Sequence, residues 1–172
     1  MKKLLLIIIL ILAAALRLYK LADYPAGFYA DEAALGYNAY SLLLTGKDEH
    51  GHAWPVNLES FGDFKPAGYA YLLTPFIKAL GLTELAVRLP SAIFGILAVV
   101  FIYLLVKELI TEDLALITSA MLAISPWAIH FSRGAWETNV ATTLLAMGAW
   151  FMIRWWQDKN FYNLAGCVLT FA

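Results

Sequence analysis

The sequence predicts an all-α fold, a polytopic bundle of transmembrane helices with interfacial helices in its first external loop. Of its 172 residues, 62% are hydrophobic and 15% are charged, whereas soluble domains average about 45–50% apolar and about 25% charged residues. Long uncharged stretches recur along the chain, separated by short charged connectors, and one long polar region follows the first stretch. These three observations indicate that lipid surrounds much of the chain.

The ends of the membrane spans are predicted from the positions at which charged residues stop. Spans are expected at about 4–21, 87–107, 114–132 and 138–156, and a fifth apolar run starts at 160–172. The first stretch also resembles a signal peptide, since two lysines precede it and three alanines could be cleaved. We favour an uncleaved helix, extended to the interface by Arg17 and Lys20. The chain stops inside the fifth run, so we expect the N-terminal part of a longer protein, inactive by itself.

The predicted orientation places the N-terminus in the cytoplasm and the long loop, about 22–86, outside the cell membrane. The loop is long enough to be translocated largely regardless of its charge, so the short basic segments decide the orientation. If the spans alternate, a set of isolated ionisable residues converges on the external face. These residues are Asp31, Glu32, Asp48, Glu49, Asp63, Lys65, Arg88, His130, Arg133 and Glu137. Ionisable groups near bilayer depth are costly and suggest function.

Two helices are predicted within the external loop. The first covers about 30–46 and has Asp31 and Glu32 in its first turn, where the helix dipole favours carboxylates. The second starts at Pro66 and is too short to span a bilayer, so we expect it to lie in the interface, the depth that suits Tyr69 and Tyr71. Such a platform could hold a substrate whose head group is attached to a lipid.

The chemistry of this residue set favours a transfer reaction over binding to nucleic acid. Carboxylates together with Lys and Arg suit an anionic phosphate leaving group and an acceptor that must lose a proton. A formal net charge of -1 argues against a nucleic-acid partner, which would require a basic patch. His50 and His52 lie beside two carboxylates, but their spacing is no recognised zinc pattern. We therefore predict no metal ligands and leave a divalent-cation requirement open.

An ordered series of short motifs resembles a known family. The motifs are RLY at 17–19, FYADEA at 28–33, TGKDEHG at 45–51, WP at 54–55, FKP at 64–66 and VRLPS at 87–91. The order is similar to the N-terminal region of bacterial glycosyltransferases related to protein O-mannosyltransferases and to the aminoarabinose transferase of lipid A. These are membrane enzymes of the C-type superfamily, which use polyprenyl-phosphate-linked sugars.

The resemblance implies a bacterial or archaeal membrane enzyme. It would transfer a sugar, with inversion, from a polyprenyl-phosphate donor to a lipid, glycan or protein acceptor at the external face. Asp31 matches the acidic residue that acts as general base or orients the acceptor, and Glu32 would support it as the second catalytic residue. Lys65 matches the position that contacts the lipid phosphate. The further candidate substrate-binding residues are Arg88, Arg133, Tyr69 and Glu49.

Simpler interpretations of the same residues stay open. Asp31 could only stabilise the start of its helix, and Lys65 could extend from the interface to water. Arg133 and Glu137 are four residues apart and could pair with each other. At the level of the whole chain, the alternatives are a transporter subunit, which would carry charges at mid-membrane depth, and a non-catalytic module that binds lipid-linked intermediates.

Overall fold

The computed structural model describes residues 1–60 and 62–171, so residue 61 of the predicted loop and residue 172 of the predicted fifth run lie outside the described residues. The described part of the chain is mostly helical. Its elements are α1 (Lys2–Leu18), α2 (Ala30–Thr45), β1 (Asn57–Ser60), β2 (Asp63–Pro66), α3 (Gly68–Leu80), α4 (Glu84–Leu109), α5 (Glu112–Ile124), α6 (Pro126–Arg133), α7 (Glu137–Asp158) and α8 (Phe161–Phe171).

A β-hairpin in the long loop corrects the all-α prediction. β1 pairs antiparallel with β2, with Lys65 opposite Leu58, and Gly62 in the connection has φ +78°, a conformation that favours glycine in tight hairpins. Pro66, predicted to begin a helix, is the last residue of β2, and α3 begins at Gly68. Strands of four residues are too short to show a clear alternation of apolar and polar side chains, so the sequence pattern did not reveal them.

The long helices alternate in direction, as shown by ion pairs at one end of the molecule. Lys2 Nζ lies 2.8 Å from Asp113 Oδ1, which joins the start of α1 to the start of α5. Arg154 Nη1 lies 3.1 Å from Glu108 Oε1, which joins the end of α7 to the end of α4. The last residues of α1 and the first residues of α4 and α7 lie together at the opposite end of the molecule. A chain that crosses a bilayer back and forth requires this alternation.

Within the described residues, α4 is the single continuous helix that is both long and apolar enough to cross a membrane. α5 and α6 together pass the same test but meet at an angle of 57°. α1 has 17 residues, and neither α1 nor α7 reaches this combination of length and hydropathy. The number of spans therefore stays a prediction.

The span predicted over 114–132 corresponds to two helices, α5 and α6, with a bend between them. Proline at position 126 has no N–H to continue the hydrogen bonding of α5, and it also restricts the residue before it. Ser125 accordingly adopts φ -60° and ψ 120°, and its side chain accepts a hydrogen bond from the backbone N–H of Ala128 at 3.4 Å. Ser125 thus ends one helix and caps the next.

A core of buried apolar residues attaches the long loop to the helices. Leu35 and Leu42 of α2 and Leu73 of α3 are buried with Val87 near the start of α4. Gly36 permits a close approach of α2 to α4, because a Cβ atom there would lie 2.8 Å from Val87 Cγ2. The loop helices are therefore held against the start of α4.

Candidate functional site

The acidic turn, residues 29–32, begins α2. Tyr29 has extended backbone angles (φ -71°, ψ 151°), and its backbone N–H donates to Glu32 Oε2 at 3.1 Å. A carboxylate three residues after the N-cap often satisfies a free N–H in this way. The helix start predicted from the acidic pair is confirmed, and the preceding carboxylate, Asp31, lies in the same first turn.

Asp31 and Lys65 form an ion pair between the acidic turn and the hairpin. Lys65 Nζ contacts Asp31 Oδ1, although 34 positions separate the two residues. The side chain of Asp31 is 33% exposed and that of Lys65 is 17% exposed. Both candidate residues therefore lie together at an accessible surface, where they can meet a substrate.

Glu32 and Arg88 form a second ion pair, which is buried. Arg88 Nε donates to Glu32 Oε1 and Arg88 Nη2 to Glu32 Oε2, each at 3.1 Å. Glu32 is 4% exposed and Arg88 is fully buried. This two-pronged geometry is the strongest form of Arg–carboxylate contact.

The remaining donors of Arg88 and those of Arg133 bind backbone carbonyls. Arg88 donates to the carbonyl oxygens of Leu21, Ala22, Pro25 and Gly27. Arg133 donates to those of Leu16, Arg17, Lys20 and Tyr24. The two guanidinium groups thus bind the connector between α1 and α2. Arg133 makes these contacts rather than a pair with Glu137, the simpler interpretation left open by the sequence. Either arginine would have to release carbonyls in order to bind a phosphate.

Residues 133–136 also contact the acidic turn, and of these the sequence predicted only Arg133 as a site residue. The backbone N–H of Ala135 donates to Glu32 Oε1 at 3.0 Å. The Trp136 ring stacks on the Tyr29 ring, with centroids 5.9 Å apart. Gly134 leaves room for this indole, because a Cβ atom there would lie 2.7 Å from Trp136 Nε1. The only sequence signal was a short polar turn with a glycine before an aromatic residue.

Two candidate substrate-binding residues make other contacts. Tyr69 is buried, and its hydroxyl donates to the carbonyl of Val87 at 3.0 Å. Burial also raises the pKa of Tyr69. Glu49 Oε1 accepts a hydrogen bond from Asn38 Nδ2 at 2.8 Å. Asn38 lies seven residues after Asp31 in α2, a distance of about 10 Å along the helix axis. Tyr69 thus joins α3 to α4, and Glu49 joins its loop to α2.

Asp48 organises the loop of residues 47–53. Its carboxylate accepts from the backbone N–H groups of His50 and His52 at 3.0 and 2.7 Å, and His52 Nδ1 lies 3.0 Å from Oδ2. Burial alone would raise the pKa of Asp48, but these hydrogen bonds and the nearby His52 hold it below its ordinary value. In residues 1–60 and 62–171, no three His, Cys, Asp or Glu side chains are grouped to hold a metal ion.

An apolar groove of about 490 Å³ lies between α3 and α7. Its lining includes Pro66, the residue after Lys65, together with Leu72, Phe94 and Leu144. Glu137 also lines it. The groove therefore offers a surface suited to hydrocarbon beside the last residue of the hairpin strand that carries Lys65.

Comparison with known proteins identifies a protein family whose model matches this chain. Residues 64–172 match the family model described as dolichyl-phosphate-mannose-protein mannosyltransferase. The matched range begins one residue before Lys65 and includes Arg88 and Arg133, whereas the acidic turn precedes it. No curated protein sequence matches the chain. The family match confirms the resemblance drawn from the motifs.

Proposed function

The chain belongs to the dolichyl-phosphate-mannose-protein mannosyltransferase family, and from this premise we propose that it transfers a sugar from a polyprenyl-phosphate-linked donor to a lipid, glycan or protein acceptor. The single observation that carries the proposal is the ion pair between Asp31 and Lys65. It joins the proposed base and the proposed phosphate contact at one accessible place.

In this proposal, Asp31 accepts the proton of the acceptor hydroxyl. The hydroxyl oxygen attacks the anomeric carbon from the face opposite the phosphate, and the bond between that carbon and the phosphate oxygen breaks. The phosphate leaves with the electron pair, and Lys65 neutralises the added negative charge. The configuration of the sugar is inverted by this single displacement.

The other candidate residues have supporting roles in the proposal. Glu32 and Arg88 are buried and bonded to each other, which suits residues that position Asp31 rather than touch substrate. Arg133 holds the connector through the carbonyls of Lys20 and Tyr24. Tyr69 lines the apolar groove after Pro66, which is suited to the first isoprenoid units of the donor. Glu49 would act on the acceptor only through a change in its loop.

The proposed setting is a bacterial or archaeal cell membrane, with residues 1–172 as the N-terminal part of the transferase domain. The helices α1, α4, α5 with α6, and α7 would cross the bilayer, and α8 would begin a fifth crossing. The N-terminus would be cytoplasmic and the acidic turn external. The alternating directions and the ion pairs at the end opposite the acidic turn support this arrangement.

The test replaces Asp31 with Asn in the full-length enzyme and follows transfer from a labelled polyprenyl-phosphate sugar in membranes. Losing the base should lower kcat by about 10²–10⁴-fold, while the protein still folds and inserts. Asp63→Asn is the matched control, because Asp63 lies on the same hairpin as Lys65 and is exposed. Unchanged turnover in the Asp31→Asn enzyme would refute the assignment.

A further inference from the structure

The bend between α5 and α6 is bound by a buried arginine that the proposed reaction does not use. Arg17, near the end of α1, is fully buried. Its Nη1 and Nη2 donate to the carbonyl oxygens of Ala123 and Leu122 at 2.9 and 3.2 Å, and its Nε donates to Ser132 Oγ at 3.2 Å. Arg17 therefore contacts both arms of the bend.

These contacts satisfy a need that the bend itself creates. In a continuous helix, the carbonyl of Leu122 would accept from the N–H of residue 126, but residue 126 is proline and has none. A carbonyl without a donor is costly in apolar surroundings. The side chain of Arg17 supplies that donor. α4 makes space at the same place, because a Cβ atom on Gly95 would lie 2.1 Å from Ser132 Oγ.

The direction of α6 after the bend decides where residues 133–136 lie. α6 has eight residues and leads from the bend to Arg133, which donates back to the carbonyls of Leu16 and Arg17. α1 therefore binds the last residues of α5 through Arg17 and the last residues of α6 through Ser132 and Arg133. Directly beyond, Ala135 contacts Glu32 and Trp136 stacks on Tyr29.

We propose that Arg17 is a positioning residue for the transfer reaction, acting through α6 and residues 133–136 on the acidic turn. It holds the bend at 57°, and the bend presents Ala135 and Trp136 to Glu32 and Tyr29. Those contacts fix the turn from which Asp31 projects. This role rests on the proposed function of Asp31, but the physical coupling between Arg17 and the turn can be measured separately.

The experiment compares Arg17→Gln and Arg17→Lys with the wild type in the full-length enzyme. Because misplacing a reacting group by about 1 Å costs about 100-fold in rate, Arg17→Gln should lower kcat by about that factor with little change in the KM for donor. Arg17→Lys, which keeps a donor for the carbonyls, should recover part of the loss. Arg154→Gln is the control, because Arg154 binds Glu108 at the opposite end.

Hydrogen exchange at the backbone amides of Tyr29 and Ala135 supplies the second readout, since both amides bind Glu32. It should become faster in Arg17→Gln and stay unchanged in Arg154→Gln. Unchanged exchange, or an activity loss fully accounted for by less folded protein, would overturn the proposal. If Arg17→Gln speeds the exchange but the wild type transfers no sugar, the proposed function fails and the coupling stands.

Gly134→Ala decides the matter if Arg17→Gln cannot be obtained folded. A methyl group there would displace the Trp136 indole without altering the arginine. The same fall in kcat and the same faster exchange at Tyr29 are expected, and normal values for both would refute the proposed route from α6 to the acidic turn.

Discussion

Two adjacent carboxylates in the acidic turn have opposite surroundings. Asp31 is partly exposed beside a lysine, whereas Glu32 is buried and accepts four hydrogen bonds, two from Arg88 and one each from the backbone N–H groups of Tyr29 and Ala135. Neighbouring carboxylates in active sites commonly take different roles because their surroundings differ. Here the exposed residue is available to a substrate, and the buried residue organises the backbone around it.

Replacing Glu32 with Gln should destabilise the protein severely. The side chain keeps its shape, but Arg88 then becomes a buried charge without a counter-ion, and the amide NH₂ faces a donor. Breaking a buried ion pair in this way costs about 3–5 kcal/mol, which unfolding in detergent by denaturant would measure.

Glu108→Gln is the matched control for Glu32→Gln, because it breaks the more exposed pair with Arg154. Exposed ion pairs of this kind contribute about 0–1 kcal/mol to the free energy of unfolding. Equal losses of stability in the two variants would contradict a structural role for Glu32.

At this scale, motif resemblance predicted that Asp31 and Lys65 are important, and the structure places them in contact. The motif resemblance could not predict the partner of Glu32, because 56 positions separate Glu32 from Arg88. Nor could it distinguish an arginine that binds phosphate from one that binds carbonyls. Both roles require the same residue type at a helix end, and only the course of the connector decides between them.

Among the elements, the loop of residues 47–53 shows how one carboxylate can determine a local conformation. Asp48 is fully buried in its side chain and accepts three hydrogen bonds from the two histidines that follow it. Glu49 and Asn38 then join the loop to α2 through two hydrogen bonds. The shape of this loop therefore depends on the ionised form of Asp48.

We expect this contribution to stability to be lost in acid. The pKa of Asp48 is lower in the folded protein than in an unfolded chain, where it is about 3.9. The stabilisation is therefore present above about pH 4 and disappears as the pH falls through the folded pKa. Asp48→Asn should lower stability at pH 7 by about 1–3 kcal/mol and lose less on acidification than the wild type.

Unfolding temperatures at pH 7 and pH 3 measure this difference. Asp113→Asn is the comparison, since the carboxylate of Asp113 is largely exposed and paired with Lys2. An equal acid effect in the wild type and in Asp48→Asn would contradict the role of Asp48.

The sequence pattern predicted the helices better than their interruptions. α2 and α7 begin and end within two residues of expectation, because charged residues and Gly46 mark their ends. Pro126 lies inside an uncharged stretch, and charged residues mark the ends of a span but not a bend within it. Proline favours a break in a helix, but α3 and α4 continue through Pro75 and Pro90, so the residue type alone does not locate the bend.

For the whole molecule, membership of a mannosyltransferase family favours transfer over the transporter alternative. The arrangement agrees, since the ion pairs of Asp31 and Glu32 lie at one end of the helices and those of Lys2 and Arg154 at the other. The remaining alternative, a module that binds lipid-linked sugars without turnover, differs from an enzyme only in the chemical step. Binding and chemistry must therefore be measured separately.

A soluble short-chain polyprenyl-phosphate sugar should raise the unfolding temperature of the full-length protein. At a concentration 100 times its Kd, a ligand that binds only the folded state adds about 2.7 kcal/mol of stability. Lys65→Gln should lose most of this effect, because Lys65 is the proposed phosphate contact. Asp31→Asn should keep it.

Lys78→Gln is the control in the same assay, since Lys78 lies in the last turn of α3, away from the hairpin. Stabilisation that survives in Lys65→Gln would show that the phosphate binds elsewhere.

The pair between Asp31 and Lys65 has a consequence for the order of events in the proposed reaction. Each group neutralises the charge of the other, so the lysine occupies the carboxylate that the proposed reaction uses as its base. A donor phosphate competes for the lysine, and its arrival would leave the carboxylate without a counter-ion. Activation of the acceptor would then wait for the donor, which would suppress deprotonation of water or acceptor in its absence.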